Sequence, residues 1–248
     1  MAKQYAIVTG GSRGLGEGMA LRLAKLGYDL VINYVSENSK EKAERVLAKA
    51  AETYGVKGLV VQADVSDYEQ CKKLVEAAVS TFGEQIGVLV NNAGISNGKS
   101  FLEIQPEEYR RLINTNLVSY LNVTHLVIPY MVKNKTGCIV NTASIGGLMG
   151  VVNQVDYCAA KSGVIGFTRA LAMEFGPVGI RVNAIAPGMI WTDMLKGSNQ
   201  DEVDALKKSI PLGEIGEVDD IAGCMEYLVT AKYVTGQTIS PNGGIIMP

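Results

Sequence analysis

Tyr157 and Lys161 stand four residues apart in the stretch DYCAAKSG, separated by Cys158, Ala159 and Ala160. On a helix that spacing puts both side chains on one face, a turn apart, where a phenol and an ammonium can meet. Such a pair is either surface decoration or a proton-transfer device. Hydride reduction of a ketone needs a proton for the developing alkoxide, and a phenol whose anion is stabilised by a nearby cation can supply it. Ser144 follows the apolar run CIVNTA, thirteen positions before the tyrosine. As a neutral donor and acceptor it could hold a carbonyl beside the phenol, or it could cap a helix. Convergence of these groups in one crevice would favour the chemical reading.

Their placement rests on a simple rhythm. Short β-branched runs alternate with amphipathic stretches from one end of the chain to the other. YAIVT, DLVIN, GLVVQA, VLVNNA, CIVNTAS, IRVNAIAP and QTISP read as seven strands. Between most of them lie helical patterns, such as the face made by Leu15, Met19, Leu23 and Leu26 before Gly27. Strands joined through helices pair in parallel with right-handed crossovers, which predicts one doubly wound α/β domain over residues 1–248. In such sheets ligands sit beyond the carboxyl ends of the strands, so the residues just after each strand carry the functional information.

After the first strand comes TGGSRGLG, with Gly10, Ser12, Arg13, Gly14, Leu15 and Gly16. Glycines there let backbone approach a pyrophosphate, and a helix opening near Gly14 aims free N–H groups and its positive end at the anion. A strand before and a helix after distinguish this from a plain tight turn. An NAD site usually carries an acid near the end of the second strand. Here Asn33, Tyr34, Val35 and Ser36 occupy that place, Asp29 lies at the strand's other end, and Glu37 follows. Tyr34 and Ser36 are therefore expected to border the cofactor, and Arg13 could neutralise a 2′-phosphate, so NADP(H) is the expected cofactor.

Composition narrows the function classes. The 248 residues are 47% hydrophobic and 19% charged with a net charge of −2, which suits a soluble globular domain with a substantial core. The absence of a Lys/Arg stripe gives no support for a nucleic-acid or anionic-membrane partner. No run approaches the length of a membrane span and the opening MAKQYAIVTGG is not a secretory signal, so a cytoplasmic location is expected. Cys71, Cys138, Cys158 and Cys224 lack zinc-ligand spacing and are expected to be reduced thiols with no metal site. His125 lies in a helical apolar pattern and is expected to be structural.

The chain resembles the short-chain dehydrogenase/reductase family over its whole length. TGGSRGLG is similar to that family's TGxxxGxG, Asn91-Asn92-Ala93-Gly94 to its NNAG, and Tyr157-x3-Lys161 with Ser144 to its catalytic set. Asn116 matches the helix asparagine that completes the tetrad, and Pro187-Gly188 with Thr192 matches its PGxxxT loop. The resemblance implies that Asn116, its carbonyl freed by a helix irregularity, holds a relay water and that Lys161 also bonds the nicotinamide ribose. It implies cofactor contacts for Asp64 and Val65, with helix capping an alternative for Asp64, and for Asn92, Ala93 and Gly94. It also implies that Pro187, Gly188, Ile190 and Thr192 face the carboxamide. Family members usually form tetramers through the helices corresponding to 106–134 and 157–175 and the C-terminal strand region, so a homotetramer is expected.

The pocket is expected from Ile95, Ser96 and Asn97, from 145–154, and from Met189, Trp191 and Met194, although Met and Trp there could instead pack on the core. These residues are mostly apolar or small, which suits a neutral carbonyl compound. Residues 193–212 read as a lid within the domain. Among subfamilies the likeness is strongest to the 3-oxoacyl-acyl-carrier-protein reductases, through Gln154, GIRVNAIAPGMIWTDM and the terminal NGG. That likeness implies an NADPH-dependent reduction in fatty-acid synthesis on an acyl group borne by a carrier protein or CoA, with Lys133 and Lys135 as part of a basic docking surface at the pocket mouth. Val178 and Pro241 stand where those reductases tend to carry a basic residue and a valine. Acetoacetyl-CoA, a steroid or a small diketone would suit the same machinery. A different class, a dinucleotide-binding redox sensor without catalysis, would need the glycine loop but not the Ser/Tyr/Lys set.

Overall fold

The computed structural model describes residues 3–192 and 200–247. Seven strands form one parallel sheet in the order β3-β2-β1-β4-β5-β6-β7. They are β1 (Tyr5–Val8), β2 (Asp29–Tyr34), β3 (Gly58–Gln62), β4 (Ile86–Asn91), β5 (Gly137–Thr142), β6 (Ile180–Ile185) and β7 (Thr238–Ile239). Every strand expected from the sequence is present. The helices are α1 (Gly14–Lys25), α2 (Lys40–Tyr54), α3 (Tyr68–Phe82), α4 (Pro106–Ile113), α5 (Ser119–Asn134), α6 (Val155–Phe175), α7 (Gln200–Ser209) and α8 (Val218–Thr230).

β1, β2 and β4 are buried at every position, as expected of parallel strands covered on both faces. One core layer packs Val8, Leu30, Ile32 and Val90 against Met19 and Leu23 of α1 and against Ile221, Met225 and Leu228 of α8. The other packs Ile7, Val31, Leu89 and Ile139 against Leu74 of α3 and Val123, Val127 and Met131 of α5. Each such side chain removed from water contributes about 1.5–3 kcal/mol before entropy is counted. Strand order reverses between β1 and β4, so the crevice forms there, between the glycine turn and the NNAG segment.

Polar stitches shape the rim of that crevice. Thr9 Oγ1 accepts from the backbone N–H of Asn92 at 2.9 Å and of Ala93 at 3.1 Å. Asn33, buried at the end of β2, accepts from Gly10 N–H at 3.2 Å and donates to Ala63 O at 2.9 Å. Deeper down, Asn91 donates to Asn141 at 2.9 Å and to Thr124 at 3.0 Å, and Asn141 donates to Thr168 at 2.9 Å. Buried backbone groups left without partners cost about 1–3 kcal/mol each. Asn33→Ala is therefore expected to destabilise the fold by about 2–3 kcal/mol in urea denaturation, because it strands both Gly10 N–H and Ala63 O.

Candidate active site

The glycine turn is built for close approach. Gly10 and Gly14 have φ of +61° and +56°, and a Cβ on Gly16 would lie 2.3 Å from Gly10 O and 2.6 Å from Asn92 Nδ2. Only glycine fits such backbone. α1 starts at Arg13 without a side-chain cap, unlike α3, where Asp67 accepts from Gln70 N–H. The opening N–H groups of α1 are thus left for an anion, and this cradle fits the pyrophosphate of a dinucleotide. Ser12 is buried in the turn, Arg13 is exposed at its rim and Leu15 packs partly on the core. Thr192 Cγ2 would be 3.8 Å from a Cβ on Gly14, which sets the PGxxxT loop against the cradle.

At the end of β2, Tyr34 is buried in the core, so Val35, Ser36 and Glu37 form the exposed corner instead. Ser36 Oγ lies 3.1 Å from Ser39 Oγ, and the Glu37 carboxylate lies 3.6 Å from Lys40 Nζ. After β3, Asp64 accepts from the backbone and hydroxyl of Ser66 at 2.9 and 2.7 Å. It makes a local turn beside buried Val65, and the α3 cap belongs to Asp67.

Lys161 lies at the centre of the second half of the crevice. It is 3% exposed and donates to Thr142 O at 2.7 Å and to Tyr120 Oη at 3.4 Å. Its nitrogen stands 5.7 Å from the ring centre of Tyr157 and 5.3 Å from that of Tyr120. The Ser144 side chain lies on the Tyr157 phenol and holds its pKa down. Ser144 also accepts from Gly146 N–H at 3.1 Å, so it caps the short turn Ile145–Gly147 while it engages the phenol. That turn presses on α6: a Cβ on Gly147 would lie 2.7 Å from Lys161 O. Asn116 is fully buried within a π-turn, Asn114–Val118, between α4 and α5. Both ends of its amide bond Ile95, accepting from the N–H at 2.7 Å and donating to the carbonyl at 2.7 Å. A Cβ on Gly94 would meet Asn116 Oδ1 at 3.3 Å and Lys161 Nζ at 3.7 Å. Asn116, Ser144, Tyr157 and Lys161 therefore do converge, together with NNAG.

The electrostatics differ from the expected acidic phenol. Burial raises the Tyr157 pKa, and the Ser144 hydrogen bond offsets that only in part. Burial also depresses Lys161 from 10.5 to about 7. Desolvation is the leading cause of both shifts and disfavours each charged form. Tyr120, which the sequence reading passed over, is pushed up by the same burial. The signal was available: it lies four residues after Asn116, on the same helical face.

Other expected site residues have mixed placements. Pro187 O accepts from Ile145 N–H at 3.0 Å, and Gly188 N–H donates to Pro241 O at 3.0 Å. Pro241 thus acts through a carbonyl that any residue would provide. A Cβ on Gly188 would lie 2.7 Å from Asn242 Cα, so the terminal NGG buttresses this loop. Ile190 is buried and bridges to Gly216. Trp191 packs with Met189 and Leu206 against Val203, Ile210 and Ile215, which fastens α7 to the body. Gln154 precedes α6 and accepts from Cys158 N–H at 2.8 Å through its carbonyl, leaving its amide partly exposed. Of the expected lid, 193–199 lies outside the described residues, with Met194 among them, and 200–209 is the packed α7. Lys133 and Lys135 sit at the opposite pole. Lys133 pairs with Glu84 just before β4, and Lys135 precedes β5, so within one chain neither borders the cleft mouth. Their place follows from the parallel sheet, in which a helix leads back to the amino end of the next strand.

All four cysteines are free, with Cys71 and Cys138 buried. His125 is exposed and lies 2.9 Å from the Tyr68 hydroxyl through Nδ1, a surface contact and not a core one. Among the described residues there is no cluster fit for a metal ion, and no helix is long and apolar enough to cross a membrane.

A parallel sheet with a glycine cradle at its reversal point and a Ser/Tyr/Lys set beside it, its lysine buried, defines an oxidoreductase that acts on CH–OH and C=O groups with a nicotinamide dinucleotide. The chain belongs to the short-chain dehydrogenases, whose family model matches residues 4–203. It is 42% identical to a 3-oxoacyl-[acyl-carrier-protein] reductase FabG of Staphylococcus epidermidis, over 98% of both chains. It is 41% identical to nodulation protein G of Azospirillum brasilense, over 99% of both. Among solved structures it is similar to levodione reductase, with a TM-score of 0.91 and 34% identity over 98% of each chain.

The Lys161 shift predicts a pH signature in stability. The unfolded chain keeps that proton up to about 10.5, whereas the folded chain loses it from about 7. The unfolded state binds more protons in that interval, so this site's contribution to stability rises with pH. In thermal melts of the dinucleotide-free protein, Lys161→Met is expected to raise Tm most at about pH 6, with the advantage shrinking toward about pH 10.

Proposed function

We propose that the chain uses NADPH to reduce a neutral 3-oxoacyl thioester, with the acyl group presented on acyl-carrier protein or CoA. The observation that carries this reading is the half-buried Tyr157 phenol set between Ser144 and the buried Lys161 amine. When bound, the dinucleotide supplies the hydride. Ser144 holds the carbonyl oxygen, and Tyr157 gives it a proton as it becomes an alkoxide. A phenol that is neutral in the dinucleotide-free protein is in the protonation state that reduction needs. Lys161 in its charged form then stabilises the phenolate and holds the nicotinamide ribose. The carbonyl of Asn116 in its π-turn keeps a relay water.

For the cofactor, the α1 amino end and Gly10, Ser12, Gly14, Leu15 and Gly16 take the pyrophosphate. Arg13 and Ser36 take the 2′-phosphate. This is supported by the core position of Tyr34, by the engagement of Asn33 with Gly10 and by the pairing of Glu37 with Lys40. Asp64 and Val65 border the adenine, Asn92, Ala93 and Gly94 the adjoining ribose. Pro187, Gly188, Ile190 and Thr192 hold the carboxamide side. Gln154 and Trp191 border the substrate, the latter from the α7 cluster. Assembly as a homotetramer is supported by apolar surface left on α5 and α6, where Leu121 and Met173 are exposed.

A second reading, a small cyclic diketone as substrate, is favoured by the likeness to levodione reductase and by the far placement of Lys133 and Lys135. Following dinucleotide absorbance with acetoacetyl-CoA, a 3-oxoacyl-carrier protein, a cyclic diketone and a steroid ketone separates the two. Turnover of the thioesters is expected to exceed that of the free ketones, and the reverse order would select the second reading. Tyr157→Phe is expected to lower kcat at least about a thousandfold while the NADPH Kd changes less than about threefold. Arg13→Ala should weaken NADPH binding at least about tenfold and leave NADH within about twofold, as read by fluorescence titration.

A further inference from the structure

Asp156 immediately precedes Tyr157, and its side chain is 5% exposed. A carboxylate removed from water needs strong compensation. Among the described residues no Lys or Arg forms an ion pair with it. Its compensation comes from two donors: Oδ1 accepts from Tyr157 N–H at 2.9 Å, and Oδ2 accepts from Asn97 Nδ2 at 2.8 Å. The amino end of α6 adds the favourable end of its dipole. Asn97 belongs to the segment after β4 that faces the substrate side. With Nδ2 turned to the carboxylate, its own Oδ1 is buried without a partner among the described residues. The reverse amide orientation would set oxygen against oxygen, so the acid fixes the polarity of the pair.

The same segment is held at a second point. Ile95, two residues earlier, is clamped at both backbone atoms by Asn116. The stretch from Gly94 to Asn97 thus ties the π-turn of Asn116 to the first turn of α6, where Tyr157 follows directly on Asp156. We infer that Asp156 and Asn97 form a positioning pair that fixes the Tyr157 end of α6 against the substrate-side loop. Neither touches the reacting atoms. The pair acts through the place it gives the phenol, and this rests on the carbonyl reduction proposed above.

Chemical swapping tests it. Asn97→Asp sets two carboxylates face to face and breaks the tie. Asp156→Asn keeps it, because the new amide can accept from Tyr157 N–H and donate to a reoriented Asn97. The double exchange, Asn97→Asp with Asp156→Asn, restores one amide and one acid. On the ketone that the wild-type protein reduces, Asn97→Asp is expected to lower kcat about thirtyfold or more with the NADPH Kd within about twofold. Asp156→Asn and the double variant are expected to return kcat to within about fivefold of the wild type. Unchanged turnover in Asn97→Asp, an equal loss of cofactor binding, or a double variant no better than Asn97→Asp would overturn the inference. Hydrogen exchange at the amides of residues 95–98 and 156–158 reads the tie without turnover, and it should quicken in Asn97→Asp alone. If the wild type reduces no ketone, the functional reading fails while that exchange still decides for or against the pair.

Discussion

The ammonium of Lys161 is buried where four pieces of chain meet, and the rest of the site is arranged around making that burial tolerable. α6 presents the lysine, β5 offers the carbonyl of Thr142, α5 offers the Tyr120 hydroxyl, and the NNAG turn brings Gly94 to its flank. A side chain at Gly94 would press on the Asn116 amide oxygen, and one at Gly147 would push the Ser144 turn off α6. The small residues that look permissive in the sequence are therefore steric conditions for a buried cation. Because so little water reaches the amine, its charge is conditional near neutrality, and a neighbour such as Tyr157 is governed more by desolvation than by simple pairing.

This changes how the proton device works. A tyrosine made permanently acidic would sit as phenolate and act as a base. A neutral tyrosine beside Ser144, backed by a lysine that is easily charged, is what the proposed reduction calls for. In that proposed reaction, alkoxide formation supplies the demand for the proton, and the response of Lys161 limits the cost of the phenolate left behind.

Much of this was legible in the sequence because strand ends are legible. Apolar runs located all seven strands, and the doubly wound topology then gathered Gly10, Asn92, Ser144 and Pro187 at one pole with no need for distances. The Tyr157–Lys161 spacing located their common face. Three things escaped. Thr142 acts through its carbonyl, which every residue possesses, so its type carried no signal. Asp156 carried no signal of its partner, because only the loop path brings Asn97 onto it. The competition between burial and attraction at Tyr157 depends on solvent exclusion, which no local pattern encodes. Lys133 and Lys135 were misplaced for a different reason: their charge was visible, but their pole follows from which end of α5 they occupy.

The most direct test is to follow the ε-carbon and ζ-nitrogen resonances of isotopically labelled Lys161 by NMR as the pH of the dinucleotide-free protein is varied, with Lys161→Arg used to assign them. A buried, conditionally charged amine predicts a midpoint of about 7. A midpoint near the ordinary lysine value of about 10.5 would contradict it: the ammonium would then be permanent at neutral pH, and desolvation would not be what governs this site.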